Sequence, residues 1–97
     1  MINELEQARA EIDLIDKQMA ELFMARMQQC ELIADYKKRN GLPIVDSTRE
    51  EQILDRGRKL LDNSVLFEQY VKFQKKLMEV SADYQRKIIE AKDRAKV

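Results

Sequence analysis

The sequence predicts an all-α fold, and three observations carry that expectation. Glycine occurs twice and proline once in 97 residues, so turns are few and the elements between them long. Apolar residues recur at spacings of three and four over most of the chain, and no alternating strand pattern runs beyond a few residues. Charged residues make up 37% of the chain, with both signs interleaved as on solvated helix faces.

Two breaks divide the chain into three helices, expected at about 3–40, 47–61 and 65–94. The first carries Leu5, Ala8, Ile12, Ile15, Met19, Leu22, Arg26, Cys30, Ile33 and Lys37 on one stripe. It stops at Asn40 to Pro43, where Gly41 offers a C-cap and Pro43 forbids continuation. At 1.5 Å per residue it would be roughly 55 Å long. The second helix is less than half as long and cannot cover it. The uncovered apolar remainder calls for a partner, most simply a second copy of the chain.

The second helix opens within "VDSTREEQIL". Ser47 with Glu50, and Thr48 with Glu51, both have capping-box spacing. Glu50 and Glu51 suit the positive end of the helix dipole. Arg49 does not, and a cation there costs up to about 1 kcal/mol, so Arg49 points to a role outside helix stability. The third helix follows Asp62 to Ser64, with Ser64 expected as its N-cap. Leu66, Tyr70, Phe73, Leu77, Val80, Tyr84 and Ile88 form its stripe. Ser81 and Gln85, at i and i+4, lie beside that stripe and direct their polar ends to one place. We expect residues 1–97 to form a single domain.

Composition narrows the function. The formal net charge is +0, so no global basic field holds nucleic acid. There is no histidine and only Cys30 among cysteines, which removes a disulfide framework, multi-cysteine metal sites and the commonest general base. No apolar run is long enough to span a bilayer, and the first residues lack a signal-peptide pattern. A cytoplasmic protein without metal, cofactor or membrane attachment is the expectation.

The cations on the first stripe then stand out. Arg26 and Lys37 are eleven residues apart, which is roughly 20° of rotation and about 16 Å along the axis. Their long side chains could grip one small molecule. Arg9 precedes Arg26 by seventeen residues, roughly 25 Å away and about 100° round the helix. It cannot reach the same ligand within one straight helix, so a functional Arg9 would serve the site of another subunit. Plainer readings exist for each residue taken singly. Arg26 could snorkel, Lys37 could complement the helix C-terminus, and Arg9 could be a solvated charge. Ser81 and Gln85 could pair within a helix interface, Glu50 could be a cap, and Cys30 and Met19, Met24, Met27 and Met78 could be filling. Taken together, inward cations and neutral donors without a Ser/His pair suit an anionic ligand and chemistry that needs no nucleophile.

The combined pattern of Arg9, Ile12-Asp13, Asp16, Leu22, Arg26, Ile33, Lys37, Val45, Asp46, Arg49-Glu50, Ile53-Leu54, Ser81 and Gln85 resembles the all-helical, AroQ-type chorismate mutases. The likeness covers about residues 5 to 88. It implies three helices per chain, intertwined as a homodimer, with two sites each completed by an arginine of the other chain. The implied reaction is the Claisen rearrangement of chorismate to prephenate, on the route to phenylalanine and tyrosine, without cofactor or metal. The resemblance places Arg26, with Arg9 of the partner subunit, on the side-chain carboxylate of the enolpyruvyl group. It places Arg49, with Ser81 nearby, at the ring carboxylate, and Glu50 and the Asp46 backbone at the ring hydroxyl. Lys37 and Gln85 would donate to the ether oxygen, so Lys37, Gln85, Arg26 and Glu50 are the expected catalytic groups. Ala8 stands where relatives often carry a larger aliphatic residue, Met27 where they often carry a polar one, and the tail from Glu90 onward has no implied role. An isochorismate-pyruvate lyase shares this fold and site. A helical dimerisation module without catalysis is the alternative from another class.

Overall fold

A computed structural model describes residues 3–95. Among them α1 (Glu4–Arg39), α2 (Ser47–Leu60) and α3 (Ser64–Ala95) follow in order, with no strand. The fold is all-α, as the periodicity predicts. Asn3 caps α1, its Oδ1 accepting from the Glu6 amide at 2.9 Å. The far end closes as expected on Gly41, which adopts φ 65°. The Leu42 amide donates to the Lys37 carbonyl at 2.8 Å, and the Gly41 amide to the Lys38 carbonyl at 3.4 Å. This is a Schellman closure, which favours glycine because it lacks the Cβ that makes positive φ costly.

The other two N-caps correct the sequence reading. Asp46, not Ser47 or Thr48, caps α2, with Oδ1 accepting from the Arg49 amide at 3.1 Å. Asn63, not Ser64, caps α3, accepting from the Leu66 amide at 3.0 Å. Asn and Asp cap at least as well as serine, and the Asp46 carboxylate also meets the positive end of the dipole. Both serines move into the first turn. The Glu50 side chain is not drawn into a capping box, which leaves its carboxylate for the interior.

Helix α3 is the spine. Helices α1 and α2 each pack on it and not on each other. Helices α1 and α3 run in the same direction, so Arg26 meets Ser81, Glu31 meets Tyr84 and Asp35 meets Lys92. Helix α2 packs against α3 at buried Gly57, where an added Cβ would run into the Tyr70 ring. Only a residue without a side chain lets the two helices lie this near.

The core is thin. Its buried apolar residues, Met27, Cys30 and Ala34, all belong to the C-terminal half of α1. In the N-terminal half Leu5, Ile12, Ile15, Met19, Leu22 and Phe23 are exposed, as is Phe73 of α3. An apolar groove of about 600 Å³, lined by Leu22, Phe23, Phe73, Leu77 and Val80 among others, lies between the two helices there. The described chain measures 61 × 30 × 15 Å, an elongated shape set by α1. No helix among the described residues is long and apolar enough to cross a membrane.

Candidate active site

Because α1 and α2 both rest on α3 without touching, a gap remains between them. That gap is a cavity of about 450 Å³. Arg26 and Lys37 of α1, Asp46 and its successors Arg49 and Glu50, and Ser81 and Gln85 of α3 all line it. Seven of the eight residues expected to bind substrate thus share one enclosure, in agreement with their spacing. Arg9 is the exception. It is exposed on the N-terminal half of α1 and lines no part of the cavity.

Each helix fixes its contribution by local chemistry. Arg26 is half-buried and donates through Nη1 to Ser81 Oγ. Ser81 Oγ in turn donates to the Leu77 carbonyl at 2.8 Å. A hydroxyl has one proton and two lone pairs, so the proton goes to the helix backbone and a lone pair orients the guanidinium. The resemblance places Ser81 with Arg49; the structure joins it to Arg26.

Lys37 donates to the Ile44 carbonyl. This bond ties the last turn of α1 to the linker that carries Val45 and Asp46. An ammonium has three protons, so two remain for other acceptors. Asp46 holds the Arg49 amide and thereby sets the first turn of α2 at the rim of the cavity. The cation at the positive helix end is explained by where its side chain goes.

Gln85 is 7% exposed, and its Oε1 is buried without a hydrogen-bond partner. An unpaired buried polar atom costs about 1–3 kcal/mol. The two ends of an amide exchange by a half-turn of the terminal bond. Gln85 can therefore turn its N–H donor toward a guest that offers an acceptor. Ile33, Val45, Ile53 and Met78 supply apolar wall, which lowers the local dielectric and strengthens every polar contact inside. With Arg26, Lys37 and Arg49 set against the carboxylates of Asp46 and Glu50, and Asp46 engaged on a backbone amide, the cavity favours an anion.

Besides that apolar wall, three further lining residues lie outside the expected set. Gln29 is three positions after Arg26, and that spacing alone places it on the same face. Cys30 is buried as expected of filling, yet it also lines the cavity. Ala82 follows Ser81 and gives α3 a low floor beneath the guest.

Residues 8–86 match the family described as chorismate mutase type II. A chorismate mutase of Methanocaldococcus jannaschii is 40% identical over 60 residues, which is 62% of this chain and 61% of that protein. The chain therefore spans less than two thirds of the length of that relative. No solved structure matches the chain. The matched stretch begins just before Arg9 and ends just after Gln85, so it contains every residue of the cavity described above, and the chain belongs to the type II chorismate mutase family.

Proposed function

We propose that the protein is a chorismate mutase, an isomerase that rearranges chorismate to prephenate for phenylalanine and tyrosine synthesis in the cytoplasm. The observation that carries this reading is the convergence of Arg26, Lys37, Arg49, Glu50 and Gln85 on one cavity. Chorismate offers two carboxylates, a hydroxyl and an ether oxygen. The cavity offers two guanidiniums, one ammonium, one buried amide and, besides the Asp46 carboxylate that caps α2, the carboxylate of Glu50.

In this reading Arg26, braced by Ser81, binds the carboxylate of the enolpyruvyl side chain, and Arg49 the ring carboxylate. Glu50 and the Asp46 backbone hold the ring hydroxyl. These contacts freeze a flexible substrate in the compact conformer where the bond-forming carbons meet. Bidentate guanidinium geometry suits the task better than a lysine would. As the C–O bond breaks, negative charge grows on the ether oxygen. Lys37 and Gln85 donate to it there, and they stabilise the transition state more than the ground state. Lys37 can keep its bond to the Ile44 carbonyl while doing so. The electrons move within one molecule, so no nucleophile is consumed.

The site is completed by Arg9 of the partner subunit in an intertwined homodimer. Support comes from the exposed apolar face of α1 and from the position of Arg9, exposed and far along that helix from its own cavity. The test is depletion of chorismate by the purified protein, with prephenate as the product measured and Lys37→Ala as the control. Prephenate formed by the protein and lost in the variant supports the reading. Salicylate and pyruvate formed from isochorismate, with no prephenate from chorismate, would replace it with a lyase. No turnover of either would leave a helical dimerisation module.

A further inference from the structure

The core of α1 ends at Ala34, the last buried residue of that helix. Lys37 lies beyond it, in a turn with no buried side chain to hold it against α3. What holds that turn is ionic. Lys92 donates to Asp35 Oδ1 at 2.9 Å, and Lys38 pairs with Asp93. Arg39 reaches back to Asp35 Oδ2 at 3.1 Å. The two cross-helix pairs bracket Lys37 on its own helix, one residue to one side and two to the other. Their partners come from the part of α3 that runs past Gln85, a segment with no role in the cavity.

We infer that Lys92 and Asp93 are positioning residues for Lys37: the end of α3 clamps the last turn of α1 so that the ammonium faces the cavity. The inference rests on the proposed function, in which Lys37 is the donor to the ether oxygen. Three features of the geometry support it. Helices α1 and α3 run parallel, so both C-termini meet at this end. Two negative dipole ends side by side repel, and the cations Lys38 and Lys92 relieve that repulsion. The Asp35 carboxyl is held below its ordinary pKa first by the Lys92 hydrogen bond, then by the charges of Lys92 and Arg39. On the other side of the turn, Lys37 itself binds the Ile44 carbonyl. The ammonium therefore sits between a linker it holds and a clamp that holds it. A single exposed pair would matter little, but two pairs on successive residues restrain both the rotation and the tilt of one turn.

The experiment uses the full chain with Lys92→Gln and Asp93→Asn combined, which keeps size and removes both charges. We expect kcat to fall about threefold to tenfold with KM held within about twofold, since the carboxylate clamps lie elsewhere. Amide exchange at residues 37–42 should quicken, while the temperature of unfolding stays close to that of the parent. The charge swap Lys38→Glu with Asp93→Lys should recover kcat relative to either single change. A merely structural role would lower thermal stability with kcat unchanged, and that result overturns the inference, as does a swap without recovery. If the parent protein converts no chorismate, the proposed function fails instead. Exchange at residues 37–42 then decides the clamp, and equal rates in parent and variant overturn it.

Discussion

The two halves of α1 behave as though they belonged to different proteins. From Arg26 onward the helix is packed, hydrogen-bonded and ion-paired to α3, and it faces a cavity. Before Arg26 it carries leucines, isoleucines and a phenylalanine on open surface and touches little. One half is held mainly by its own chain, although Leu32, Ile33 and Tyr36 remain exposed there. The other has the composition of a core without its cover. Leaving a large apolar side chain in water forgoes about 1.5–3 kcal/mol, and eight such residues before Arg26 argue for a partner that covers them. Most of the site lies in one chain, whereas the proposed dimer would cover the apolar face that this chain leaves open. Arg9 lies in the deferred half, which is why the proposed site and the proposed dimer stand or fall together.

The sharpest way to break this comparison combines both halves. Arg9→Ala and Lys37→Ala proteins, each inactive or nearly so, are unfolded together, refolded and assayed. In a mixed dimer one site receives an intact Lys37 from one chain and an intact Arg9 from the other. Activity should return in the mixture. If each chain supplied its own Arg9, every site would carry a lesion and nothing would return. Concentration should matter too, with dilution lowering specific activity and the unfolding temperature together.

Within the finished half, Lys37→Ala carries the largest expected loss. Removing one donor to a developing negative oxygen costs roughly 10²–10³-fold in kcat. Here the same change also cuts the tie between α1 and the linker at Ile44. KM should therefore rise as well, because Arg49 and Glu50 follow that linker. A fall in kcat with unchanged KM would show that Asp46 and the contacts of α2 with α3 position the linker unaided.

The finished half is also where the sequence was easiest to read, and the reasons are local. Helical spacing alone puts Arg26 and Lys37 on one face, and Ser81 and Gln85 on another, so the cavity lining follows from periodicity. Capping was misread at Asp46 and Asn63 because each stands next to a serine, and two good caps in a row leave the choice to chain geometry. The Arg26–Ser81 bond and the ion pairs of Lys92 and Asp93 were not legible. They join residues more than fifty positions apart, and their register exists only once α3 lies parallel to α1. The apolar face of α1 was legible as a need for cover. In the proposed dimer the position of that cover is set by a second chain, and no spacing within one sequence encodes it.

A smaller effect sharpens the contrast through pH. In the proposed mechanism Gln85 donates without titrating, so turnover should hold from weakly acidic to neutral pH. Gln85→Glu introduces a group that donates only when protonated. Its turnover should decline as pH rises through the pKa of the new carboxyl, by about tenfold per unit once that group is mostly ionised. A flat profile for Gln85→Glu would place the ether oxygen out of reach of residue 85.

The smallest expected effect lies at the clamped end. The Lys92 hydrogen bond and the nearby cations hold the Asp35 carboxyl below its ordinary value of 3.8. A depressed carboxylate contributes stability above its unfolded pKa and loses that contribution as pH falls through the folded one. The loss should therefore begin only below about pH 4. Asp35→Asn keeps the shape and removes the titration. Its unfolding temperature should sit slightly below that of the parent at neutral pH, and the gap should close as the solution is acidified past that point. The groups facing Asp35 are Lys92 across the helix pair and Arg39 on its own helix. A gap that persisted unchanged to strong acid would mean that the Asp35 ion pairs add nothing to stability. The finished half of α1 would then owe its order to Met27, Cys30 and Ala34 and to the contacts of Arg26, Glu31 and Lys38 with α3.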